Sequence, residues 1–139
     1  MLTRAEFIAF VRVARLAVVS TTNAAGNPEA ALVEIAVTDA GELLLDTPTT
    51  TRKVRNIEET PRVALVVGWS DQVSIQVEGM AEILAGDARS AYGQIFEAQF
   101  PGSRAMHEDF TLIRVVPDWL RYYDAHPNSY QVTEGLWSA

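Results

Sequence analysis

The sequence predicts a mainly β domain of about six antiparallel strands with two or three short helices, closed or partly closed into a barrel. Three observations lead there. Apolar, β-branched runs of strand length recur between clusters of Gly, Pro, Asn and Asp. Helix signals are confined to three short stretches, each with its own start and stop. Strands do not alternate with helices, so parallel β–α–β architectures are excluded, and a barrel is the way for such an antiparallel set to hide its edges.

Thr3 and Glu6 form a T-x-x-E capping box ahead of Phe7, Ile8, Phe10 and Val11, so the chain opens with a helix that ends near Arg15. Residues 16–22 and 29–37 are apolar, and residues 23–28, with Gly26, turn one back on the other as a hairpin. Asp39 and Gly41 make the next turn, residues 43–47 a third strand, and Pro48 its end. Thr49, Thr50 and Thr51 offer an N-cap to a short helix through Arg52, Val54 and Ile57 to about Glu59, stopped by Pro61. Residues 62–69 read as a buried strand. In residues 72–84, Val73, Ile75 and Val77 alternate with Ser74, Gln76 and Glu78 until Gly79, which marks a bulge or a close backbone approach. Asp87 caps a further helix over residues 88–98, ended before Pro101 and Gly102. Residues 110–116 form the sixth strand, bent at Pro117 and continued by residues 119–123. One domain over residues 1–139 accounts for all of this.

At this length folding buries roughly two thirds of the surface of the extended chain, so a core forms without staples. The chain has no cysteine, which excludes disulfides, thiolate chemistry and cysteine-held metal clusters and fits a reducing compartment. Eleven basic against 18 acidic residues give a net charge of −7, which speaks against nucleic acid and anionic membranes as partners. No apolar run approaches the ~20 residues of a spanning helix, and no signal-like order opens the chain, so it reads as cytoplasmic.

Against this acidic background, Arg52, Lys53 and Arg55 put three of the eleven basic residues into four positions, just after Thr49, Thr50 and Thr51. Two readings fit. Free amides at a helix start, threonine hydroxyls and adjacent Arg and Lys side chains together make a phosphate site. Alternatively, the run is a solvated basic face pairing with Glu58 and Glu59. His107 and His126 lack metal-ligand spacing and read as loop histidines, so no metal is expected. G-x-S-x-G, G-x-G-x-x-G and P-loop motifs are absent, and Glu58 and Glu59 point to different helix faces. Trp119, Tyr122, Tyr123 and Trp137 suit packing, a subunit interface or the cover of a planar ligand.

A longer order of segments adds to this. Gly26-Asn27-Pro28 precedes an apolar strand, a turn and Asp46-Thr47; then come Thr51-Arg52-Lys53, a short helix and Pro61-Arg62-Val63; Trp69, Gln72-Val73 and Val77-Glu78-Gly79 follow. This ordered set resembles the pyridoxamine 5′-phosphate oxidase-like flavoproteins; the resemblance covers roughly residues 7–124, and its core over residues 28–79 is specific as an ordered set. The resemblance implies the FMN-binding split barrel, here a six-stranded antiparallel one. It implies that Arg52 and Lys53 bind the FMN phosphate with the hydroxyls of Thr47 and Thr51 nearby. Ala31, Leu32, Val33, Glu34, Ile35 and Ala36 would line the isoalloxazine ring, largely through backbone groups, with Asp46 and Gln72 beside the flavin. It further implies a homodimer with each flavin in a cleft between subunits, and an FMN-dependent oxidoreductase transferring hydride at flavin N5 to or from an unidentified small molecule. Relatives of this fold that use a deazaflavin or haem, or that bind flavin without turnover, are the alternatives. Two departures bear on substrate. Ala36 stands where the true oxidases have a lysine, and residues 127–131 lack their late R-x-H element, so pyridoxamine phosphate oxidation is not expected.

Overall fold

A computed structural model describes residues 1–138. Helix α1 (Arg4–Ala14) carries the reciprocal capping box, Thr3 and Glu6 each accepting from the other's backbone N–H. It ends at Arg15, in the left-handed region at φ 63°, whose N–H reaches Val11 O. Strands β1 (Leu16–Thr22) and β2 (Pro28–Glu34) form the expected hairpin, with Gly26 at φ 83° in its turn. Then follow β3 (Ala36–Val37), β4 (Leu43–Pro48), α2 (Arg52–Glu59), β5 (Arg62–Val67), a 3₁₀ turn (Ser70–Gln72), β6 (Val73–Ile83), α3 (Gly86–Gln99), β7 (Phe110–Asp124) and β8 (Gln131–Leu136).

All pairings are antiparallel, in the order β2-β1-β5-β6-β7-β4-β3, with β8 on the stretch of β7 that β4 leaves free. The two ends of that path, β2 and β3, are consecutive in the chain and separated only by Ile35. Opposite edges of a sheet joined by one residue can meet only if the sheet curls on itself, so the connectivity imposes a split barrel. Ile35 N–H donates to Arg15 O at 2.9 Å and anchors this corner beside the end of α1.

Eight strands replace the expected six. The corner at Ile35 divides residues 29–37 into β2 and β3, and the C-terminal segment adds β8, whose Glu134 and Gly135 break any apolar alternation. Two helix starts also differ. Thr51 is the N-cap of α2 but makes no capping bond, because its hydroxyl is 3.0 Å from that of Thr47. Ala85 precedes α3, leaving Asp87 in the first turn, where its charge still suits the helix dipole. Both readings of Gly79 hold. The ladder shifts there, Glu78 facing Trp119 and Gly79 facing Pro117, and a Cβ on Gly79 would stand 2.3 Å from Val116 O. Pro117 stays in its strand beside this bulge, between the stretches of β7 that β4 and β8 pair, a place where a strand tolerates proline.

The barrel interior is filled by Val19, Val33, Leu45, Leu65, Ile75, Val115 and their neighbours. Phe7 and Val11 of α1 and Ile57 of α2 pack onto the same core. Their contacts fall at opposite ends of the strands: Phe10 of α1 lies over Gly68, and Asn56 of α2 bonds Thr21. Helix α3 covers the outside of the barrel instead, with Phe96 and Phe100 over Ala36, Leu44 and Leu112. Among the described residues, no helix is long and apolar enough to cross a membrane.

Candidate functional site

Where α2 begins, the β1–β2 hairpin and the chain leaving β4 enclose a cavity of about 330 Å³. It is lined by Val19 and Thr21 of β1, by Glu29, Ala30 and Ala31 of β2, and by Thr50, Thr51, Arg52 and Lys53. The sequence places these groups together for local reasons. Pro48 ends β4, Thr51 N–H donates to Pro48 O at 3.1 Å, and the tight turn delivers Arg52 and Lys53 into the first turn of α2. With no side chain capping α2, its leading amides remain free as donors.

The electrostatics favour an anion. Burial holds the Lys53 ammonium below its usual range, and among the described residues no carboxylate lies within ion-pair distance of it. A half-buried cation without a counter-ion is costly, and an incoming anion would offset that cost. Arg52 differs: its Nη1 lies 3.2 Å from Glu29 Oε2, and its side chain is 73% exposed. Among the described residues the solvated pairing with Glu58 and Glu59 is not formed; Arg52 pairs across the cavity with Glu29 of β2 instead. Thr47, buried inside the barrel wall, joins through its hydrogen bond to Thr51.

Of the other expected site residues, Ala31 lines this cavity and the rest lie elsewhere. Along β2 the side chains alternate, so Ala31 and Val33 face inward while Leu32 and Glu34 face out. Ile35 is buried at the corner, and Ala36 is buried beneath α3. Asp46 is half-buried on β4; burial, and secondarily the nearby charge of Glu34, push its carboxyl above the usual range. Gln72 is exposed on the β5–β6 turn, about 20 Å from α2 along β5. That turn is backbone-strained, with Asp71 at φ 57° and Gln72 at φ 61°. It forms part of a second cavity of about 460 Å³ lined by Phe10, Val13, Gly68, Trp69, Asp71 and Tyr122. His126 fastens it: Nδ1 is 2.6 Å from Asp124 Oδ1 and Nε2 3.0 Å from Asp71 Oδ1.

Sequence reasoning missed Glu29, Asn56, Asn23 and Thr21, which form one hydrogen-bonded group behind Arg52. One signal was available. Glu29 shares the inward parity of Ala31 and Val33, and a charge on the core face of a strand calls for a partner.

Fold and cavity together define a split-barrel protein with a basic pocket at the start of a short helix. The chain belongs to the pyridoxamine 5′-phosphate oxidase family, which it matches over residues 3–124. No curated protein matches it. Solved structures do. General Stress Protein 26 from Bacillus anthracis is 22% identical with a TM-score of 0.72, over 95% of this chain and 98% of that one. A pyridoxamine 5′-phosphate oxidase-related, FMN binding protein from Nostoc punctiforme is 16% identical with a TM-score of 0.64, over 97% and 94%. A heme binding protein from Mycobacterium smegmatis is 18% identical with a TM-score of 0.71, over 98% of this chain but 59% of that one. At these identities the likeness establishes the fold.

Proposed function

We propose that this chain is a homodimeric, cytoplasmic FMN-binding flavoprotein that acts as an oxidoreductase on a small molecule. The observation that carries the proposal is Lys53, a half-buried ammonium with no counter-ion among the described residues, beside Arg52 and the uncapped start of α2. Arg52 would grip two phosphate oxygens, Lys53 would add a point charge, and Thr51 and the leading amides of α2 would complete the shell. When bound, the flavin supplies hydride transfer at N5. The protein's part is to bind and orient it. The Ala31 side chain leaves room at the cavity wall, and β2, an edge strand, offers unpaired backbone groups for the polar rim of the ring.

The dimer is supported by the outer face of the sheet. Leu32, 62% exposed, and Val66, 39% exposed, lie there together with Val18, Ala64 and Trp119. Such a face favours association with a second copy. A partner subunit would also account for Gln72, which one protomer leaves far from its own Arg52. The buried Ala36 offers no substrate-phosphate contact, in keeping with a substrate other than pyridoxamine phosphate. Haem fits poorly, since both ring nitrogens of His126 are engaged by carboxylates and His107 does not line the basic cavity.

The test is the absorption spectrum of the purified protein before and after FMN addition and desalting, with the released ligand identified by mass. Retained FMN supports the proposal. A protein that refuses FMN, or that retains a deazaflavin or haem instead, refutes it; for a protein that retains FMN, steady-state assays with NADH and NADPH test turnover.

A further inference from the structure

An anion site alone does not explain why a carboxylate stands in its wall. Glu29 is only 17% exposed, against 73% for the Arg52 it faces. Three donor groups converge on it. Asn56 Nδ2 donates to Oε1 at 2.9 Å, Asn23 Nδ2 donates to Oε2 at 3.1 Å, and Arg52 Nη1 stands 3.2 Å from Oε2. Asn56, 5% exposed on the inner side of α2, also donates to Thr21 Oγ1 at 3.0 Å. The Asn56 and Asn23 amides hold the Glu29 carboxyl below its usual range, and the charges of Arg52 and Arg55 act the same way. Glu29 is therefore ionised at neutral pH and fixed from a turn and a helix at once.

Neutralising an exposed arginine requires no such construction. Arg52 is a long side chain that water leaves free to rotate, and a ligand that had to order it would lose affinity in doing so. Glu29 engages Nη1, leaving Nη2 and Nε as donors for two oxygens of a phosphate. We propose that Glu29 is a positioning residue: gripped by Asn23 and Asn56, it holds the Arg52 guanidinium at the mouth of the cavity, oriented for the ligand's phosphate. This rests on the reading of the cavity as the FMN phosphate site. A carboxylate near a phosphate also repels it, so positioning and repulsion have opposite signs and can be separated.

The experiment is a cycle of FMN affinities at one ionic strength for wild type, Glu29→Ala, Arg52→Ala and the double variant. Alongside it runs an NMR titration of the Glu29 carboxyl carbon in the ligand-free protein. Glu29→Ala is expected to weaken FMN binding about two- to tenfold, the cost of ordering one arginine on binding. In the Arg52→Ala background, where only repulsion remains, the same substitution leaves affinity unchanged or improves it. Glu29→Gln, which keeps an acceptor for Arg52, recovers part of the loss. In the ligand-free protein Glu29 titrates below its usual range and moves upward on Arg52→Ala.

Tighter FMN binding by Glu29→Ala in the wild-type background would show that Glu29 merely competes, and would overturn the inference. So would equal weakening in both backgrounds, or a Glu29 titration indifferent to Arg52. If wild type binds FMN through Arg52 but the cycle is additive, the inference alone falls. If wild type takes up no FMN, the cofactor reading falls and the positioning role with it.

Discussion

Removing Arg52 should weaken FMN binding about tenfold and leave riboflavin binding unchanged. A hydrogen bond to a charged group contributes about 1.5–3 kcal/mol, and a two-pronged grip on phosphate could reach the sum of two. Arg52 is 73% exposed and shares its guanidinium with Glu29, so solvent screening and the competing carboxylate put the net loss at the low end, about 1.5 kcal/mol. That is roughly a factor of ten in dissociation constant. Lys53 is more buried and has no carboxylate partner among the described residues, so Lys53→Met should cost more, about thirty- to a hundredfold. The assay is quenching of flavin fluorescence on titration with protein, repeated with riboflavin, which shares the ring and ribityl chain but lacks the phosphate. Equal losses for FMN and riboflavin in Arg52→Ala would show that the residue acts on the fold or the ring. Unchanged FMN affinity in both variants would remove the phosphate from this cavity altogether.

Other consequences follow from particular contacts. Leu32→Glu should convert a dimer to monomers in light scattering and release FMN with it; a variant that stays dimeric would place the interface elsewhere. Gly79→Ala puts a methyl 2.3 Å from a backbone oxygen, and overpacking of that kind should cost about 1–3 kcal/mol in chemical denaturation; a stability equal to wild type would refute the close approach. His126 has its pKa raised above 6.5, first by Asp71 and then by Asp124. With the folded value above the unfolded one, its contribution to stability is complete below about pH 6.5 and disappears as pH rises through the raised value. The melting temperature of wild type should therefore fall over that window relative to His126→Gln, and parallel curves would refute the clamp.

Much of the fold was legible because its signals are local. The Thr3–Glu6 box, the Gly26 turn, Pro48, Pro61 and the break at Gly79 each act within a few residues, and each stands where the periodicity put it. What escaped depends on partners distant in sequence. Ile35 becomes a corner only because β2 and β3 end on opposite edges of one sheet, and β8 exists because β4 leaves half of β7 unpaired. The site divides in the same way. Arg52, Lys53 and Thr51 are neighbours in the chain and were visible as a cluster, whereas Glu29 meets Asn56 across 27 positions through the register of β2 and the face of α2.

The charge balance shows why such a network suits this protein. A net charge of −7 opposes an anionic ligand at long range, but in ~0.1 M salt charges beyond about 10 Å are largely screened, so the ligand responds to the local sum. Arg52 and Lys53 carry two positive charges into the cavity, and Glu29 cancels one. For raw attraction that is a poor arrangement, since replacing Glu29 by a neutral residue would double the local charge. Its presence beside two amide donors, one of them the buried Asn56, makes sense if orientation of one arginine matters more than the attraction lost. A dianionic phosphate supports that balance, because Lys53 and the helix amides still provide the charge that Glu29 removes, while no other group lining the cavity provides Arg52's two parallel donors.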